Sequence, residues 1–129
     1  MPLIQEAIRV MIRIKPTSCP SIYQDTLQPN VLHCGEKCYT LDHIFTAEST
    51  DQEVFERVGL GMVDNALKGY NNTLFVYGQT GTGKTYTMSG SNKEEGLIQK
   101  CVNLIRTKLE NESQYENYTI KMSYLEIYN

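Results

Sequence analysis

The chain has 129 residues, 40% hydrophobic and 21% charged; this suits one globular domain with a real core and excludes disordered and collagen-like classes. A net charge of −3 without a run of Lys and Arg excludes the general basic surface that holds nucleic acid. No apolar stretch reaches the roughly 20 residues of a membrane span, and Glu6 and Arg9 stand where a signal peptide has its apolar centre, so the chain is read as cytoplasmic, its four cysteines reduced.

In chain order, "AIRVMIRIKP" alternates Ile8, Val10, Ile12 and Ile14 with Arg9, Met11, Arg13 and Lys15, the period of a strand, and Pro16 ends it. Residues 17–30, with Pro20 and Pro29, read as a loop. "NVLHC" and "CYTLDHIF" read as two short strands joined by Gly35, Glu36 and Lys37, with Cys34 and Cys38 facing each other as small apolar side chains. "HCGEKC" has a metal-like spacing, but no fourth ligand follows with similar regularity, so a zinc site is set aside. Thr50 and Glu53 have the spacing of a capping box. The helix they open would bury Val54, Phe55, Val58, Met62, Val63, Ala66 and Leu67 and close at Gly69. "TLFVY", apolar on successive residues, reads as a strand covered on both faces. A second helical pattern, Leu97, Ile98, Cys101, Val102, Ile105 and Leu109, precedes a polar loop and a strand through Ile120, Met122 and Tyr124. This order of elements implies an α/β layer architecture.

Between "TLFVY" and the next helical start lies "GQTGTGKT", which fits G-x-x-x-x-G-K-[ST]. Phosphate oxygens need donors on several sides, so the loop must wrap its amides around them and adopt φ angles that a Cβ forbids. Gly78, Gly81 and Gly83 permit this, and Gln79, Thr80 and Thr82 complete the loop. Lys84 supplies positive charge to the β- and γ-phosphates, and the Thr85 hydroxyl can ligate Mg²⁺. The candidate ligands are therefore ATP or ADP with Mg²⁺.

"IRVMIRIKP", "LDHIF", "DQEVFERV", "GYNNTLFVYGQTGTGKTYTM", "GLI" and "IKMSYLEIYN" follow one another in the order and approximate spacing of kinesin motor domains, which the sequence strongly resembles from Ile8 to Asn129. The resemblance implies a P-loop NTPase with a central mixed sheet flanked by helices. It also implies an adenine site made by Arg13, Lys15 and Pro16, with Tyr86 just past the P-loop on the other side. The family's R-x-R-P reads Arg13, Ile14, Lys15, Pro16 here, so Lys15 replaces a planar guanidinium. The family's switch motifs, N-x-x-S-S-R and D-x-x-G, do not occur in the 129 residues. The whole chain, 1–129, is accordingly expected to be the N-terminal, ATP-binding part of a motor domain, with no catalytic residue of its own and with its microtubule contacts made by the missing part. In that fold, absent strands flank "TLFVY", so its unpaired edges would lead to association through strand pairing or to repacking. Two other readings stay open. A small P-loop phosphotransferase would need an Arg-rich lid, for which the chain after Thr85 offers only Arg106; a non-enzymatic remnant that binds nucleotide, or nothing, and serves as a protein-interaction module needs no lid.

Overall fold

The structure is a computed structural model that describes residues 8–16, 21–111 and 117–127. β1 (Met11–Arg13) pairs in parallel with β5 (His43–Phe45), Met11 opposite His43 and Arg13 opposite Phe45. Asp42 clamps the entry of this pair: its Oδ2 accepts from Val10 N at 2.6 Å, and its own amide donates to Val10 O at 2.9 Å. Between the two strands the chain forms a separate antiparallel lobe, β2 (Ile22–Gln24), β3 (Val31–Cys34) and β4 (Lys37–Thr40), in that spatial order.

The lobe corrects two expectations. Part of the stretch read as a loop is β2, because Asp25 starts a turn that brings Gln24 opposite Leu32. Cys34 and Cys38 do not face each other: Cys34 pairs with Lys37 and Cys38 with His33. Successive residues of a strand point to opposite faces, so the register puts the two thiols on opposite sides of the hairpin, both exposed. The turn is Gly35-Glu36, with Gly35 at φ 60, and Lys37 already belongs to β4.

α1 (Asp51–Val54) starts on the expected capping box, Glu53 N donating to Thr50 Oγ1 at 3.1 Å and Thr50 N to Glu53 Oε2 at 2.6 Å. A π-helical turn, Phe55–Gly59, follows and leads into α2 (Leu60–Leu67). Gly59 lets this turn pack tightly, since a Cβ there would lie 2.7 Å from Phe55 Cε2 and 3.1 Å from Cys101 Sγ. α2 ends as expected at Gly69, which has φ 87. Its amide donates to Ala66 O and that of Tyr70 to Asn65 O, both at 3.0 Å, the paired bonds of a Schellman ending. Val54, Phe55 and Val63 are buried, but Ala66 is exposed.

α3 (Lys84–Ser89) and α4 (Leu97–Asn111) complete the described helices. α4 buries Leu97 and Leu109, yet Ile98 and Val102 face outward, and Leu104 packs inward with Cys101. The core is Phe45, Val54, Phe55 and Leu97, with Met11, Val58, Leu74, Met88, Cys101 and Leu104 against it. Leu74 precedes Gly78 and Met88 follows Thr85, so both ends of the glycine loop are anchored in one cluster.

Three strand expectations need correction. Residues 73–77 run without a strand partner among the described residues. Leu74 and Val76 are half-buried, but Phe75 is 78% and Tyr77 92% exposed. One face of the segment thus meets the core and the other meets water, where both were expected to be covered. Residues 118–127 likewise have no strand partner, with Met122 and Tyr124 exposed. On β1 burial does not alternate as the sequence does: Met11, Ile12, Arg13 and Ile14 are all half-buried, Met11 joins the core and Arg13 points to a buried carboxylate, while Ile8, before the strand, is 90% exposed.

Candidate nucleotide site

Residues 78–83 form an open loop between the segment 73–77, which has no regular secondary structure, and α3, whose first two residues are Lys84 and Thr85. Gly81 (φ 82) and Gly83 (φ 101) occupy left-handed backbone that a side chain would strain. Gly78, at φ 157, is needed for space, because a Cβ there would lie 2.7 Å from Thr82 Oγ1. Thr82 tightens the loop by donating from its amide (3.2 Å) and its hydroxyl (2.8 Å) to Gln79 O. The half-buried Lys84 folds back over it, Nζ donating to Gly78 O and Gln79 O, each at 2.8 Å. An ammonium has three donors, so Lys84 braces the loop and also carries the charge that a phosphate would meet.

This cradle fits a phosphate group: glycines where a Cβ would intrude, backbone amides in a tight turn, and a cation at the rim. It also fits a magnesium ion held mainly by phosphate oxygens and water. The exposed Thr85 hydroxyl offers one oxygen ligand, and among the described residues no group of three or more His, Cys, Asp or Glu could form an all-protein metal cage.

The other expected site residues lie around the loop. Lys15 Nζ donates to Gly81 O at 2.9 Å, tying the end of the first strand to the phosphate loop. Pro16 is exposed at the bend just beyond. Arg13 lies over Tyr86, its Cζ 5.1 Å from the ring centroid, so one face of that ring is taken by the guanidinium. Arg13 NH1 also donates to Thr87 Oγ1 at 3.2 Å, and NH2 pairs with Asp51 Oδ1 at 2.6 Å.

Asp51 is the residue that sequence reasoning missed. Asp51 is 7% exposed and joins three elements, α1 on which it stands, β1 through Arg13 and α3 through Tyr86. Besides Arg13 it accepts from the Tyr86 hydroxyl at 2.7 Å. Burial pushes its carboxyl up, but the side-chain interactions of Tyr86, Glu94 and Arg13 outweigh this and hold it below the ordinary carboxylate value. Accepting the Tyr86 proton also raises that phenol above its usual value. A helix-opening acid is common enough that no local pattern pairs it with an arginine on β1. Two concavities lie elsewhere: a cleft of about 380 Å³ between His43 and Arg57, and one of about 510 Å³ beside Tyr70 and Ile105. The loop is an open rim, as a cradle that grips one end of a ligand can be.

The comparisons agree with this geometry. The family described as the kinesin motor domain matches residues 10–129. The kinesin-like protein KIP2 of Eremothecium gossypii is 39% identical over 130 residues, covering 95% of this chain and 18% of its own length. A structure of the Drosophila kinesin family member Kin10/NOD with divalent manganese and ADP superposes with a TM-score of 0.77 at 25% identity, over 87% of this chain and 40% of that one. A second, of Drosophila NOD and bovine tubulin docked into a map of nucleotide-free NOD on the microtubule, gives 0.72 at 25% identity, over 83% and 40%. The chain spans less than a fifth of the length of the curated relatives it matches. With its phosphate loop, capped helix and parallel β1–β5 pair placed as described, the chain belongs to the kinesin motor-domain family.

Proposed function

We propose that residues 1–129 form the N-terminal, ATP-binding portion of a microtubule motor, in which ATP hydrolysis by the complete domain drives movement along microtubules in the cytoplasm. The observation that carries this reading is the loop at 78–85, braced by Lys84 and anchored through Leu74 and Met88. The nucleotide supplies the phosphoryl group and Mg²⁺ neutralises its charge when bound; the chain's own residues bind and orient. Gly78, Gln79, Thr80, Gly81, Thr82 and Gly83 offer backbone donors, Lys84 a charge, Thr85 a hydroxyl for the metal, and Tyr86 with Arg13, Lys15 and Pro16 a surface for the base. The NOD structures, one with ADP and divalent manganese and the other on the microtubule, support the same kind of ligand and partner for this family member.

Substituting Lys84 tests the reading. A charge-assisted contact is worth about 1.5 to 3 kcal/mol, so Lys84→Ala is expected to weaken Mg-ATP binding by about tenfold or more. Titration calorimetry giving equal affinities for both proteins would contradict it.

The open edge of residues 73–77 supports a further part of the proposal, self-association of the isolated chain through strand pairing. Light scattering is expected to show species above the monomer, with rapid amide exchange at 74–77 in dilute, dissociated samples. A stable monomer with strong protection there would exclude it.

A further inference from the structure

The small lobe carries a second cluster, remote in sequence from the phosphate loop. Tyr23, His33 and Cys38 stand opposite one another in a row across β2, β3 and β4. Cys38 Sγ lies 3.2 Å from His33 Nδ1, and His33 Nε2 lies 2.8 Å from Asp25 Oδ2. An ionised carboxylate only accepts, so in the neutral imidazole Nε2 carries the proton and Nδ1 presents its lone pair to the thiol. The imidazole is held on three sides. Asp25 is itself fixed by the amides of Leu27 and Gln28, which donate to Oδ1 at 2.8 and 2.9 Å; the Tyr23 ring stacks on the imidazole with centroids 4.7 Å apart and planes 9° from parallel; and Cys38 closes the row.

This is the relation of nucleophile, base and orienting acid that activates a thiol. It does not suit a metal, because the ring stands between Asp25 and Cys38 and their donor atoms approach opposite nitrogens. His33 and Asp25 are partly shielded, with side chains 23% and 25% exposed, while Cys38 faces solvent. A shielded base beside an open thiol fits exchange with a small reagent.

We propose that Cys38 is a modification site that takes low-molecular-weight disulfides, with His33 as its base and Asp25 as a positioning residue. The Cys38 proton passes to His33 Nδ1 and the thiolate attacks one sulfur of the disulfide R–S–S–R. The Cys38–S–S–R bond forms as the R–S–S–R bond breaks, and the departing thiolate takes the proton from His33 and leaves as RSH. Two-electron balance is met by the incoming disulfide, and no other oxidant is required. Cys34 is the internal control: it is exposed and in the same hairpin, but its register places it on the face away from the imidazole.

The test exposes the 129-residue chain to glutathione disulfide at pH 7 and follows the mixed disulfide at each cysteine by peptide mass spectrometry. Cys38 is expected to react about tenfold or more faster than Cys34, a threshold set below the roughly 10²- to 10⁴-fold that a positioned general base contributes. His33→Gln should remove that advantage and leave the Cys34 rate unchanged, and Asp25→Asn should reduce it. Equal rates at Cys38 and Cys34 in the wild-type chain overturn the proposal without any variant. An unchanged Cys38 rate in a folded His33→Gln chain overturns the role of the base.

Discussion

Asp51→Ala is expected to destabilise the chain by about 3 kcal/mol, the lower part of the range for breaking a buried ion pair. The lower part applies because Arg13 keeps 20% of its side chain in contact with water. The loss has two sources: the guanidinium loses a partner at 2.6 Å, and the Tyr86 hydroxyl loses its acceptor at 2.7 Å. Set against a typical domain stability of about 5 to 15 kcal/mol, this is a large share, and the urea midpoint should fall accordingly. Truncating Arg13 in the Asp51→Ala background should cost much less than truncating it in the wild type, with a coupling energy above about 1 kcal/mol. The folded-state value of the Asp51 carboxyl is depressed, so its stabilisation is fully present above the unfolded value of about 3.9 and is lost as pH falls through the folded one. Asp51→Asn should therefore narrow its deficit only in acid. Unchanged midpoints in Asp51→Ala would mean that the pair does not hold β1, α1 and α3 together.

Negligible ATP turnover is the second large effect expected, at least about 10³-fold below that of a motor domain carrying both switch motifs, the lower end of what one transition-state cation supplies. Phosphoryl transfer needs a positioned nucleophile and charge on the side of the phosphate away from the loop. Here Lys84 and Lys15 both bond to carbonyls of the loop, and Arg13 is held by Asp51. Neither N-x-x-S-S-R nor D-x-x-G occurs in the 129 residues. Phosphate release by the chain should match that of Lys84→Ala, and microtubules should leave it unchanged. Stimulation by microtubules to motor-like rates would place catalytic groups in segments given a structural role here, Asp42 among them.

What the sequence made legible was local. The phosphate loop is a contiguous run of eight residues whose glycines answer steric needs within the loop itself. The capping box and the Gly69 helix end are equally short-range, and both appear as expected. The Arg13–Asp51 pair spans 38 positions and follows no period, so nothing in the chain's pattern announces it. Strand 73–77 failed for a different reason. Its composition shows what it needs covered, but Phe75 and Tyr77 remain in water, with no strand pairing to the segment among the described residues. The two lobe cysteines were misplaced by one position of register, which is enough to move a side chain to the other face.

Residues 78–85 are proposed to receive the phosphates of a nucleotide. The decisive measurement is a titration of the wild-type chain with Mg-ADP followed by amide NMR shifts. Saturable changes concentrated at Gly78, Gly81, Gly83, Lys84 and Thr85, with smaller ones at Tyr86, are the predicted result. No saturable change, or changes centred on the cleft between His43 and Arg57 with the loop silent, would contradict it.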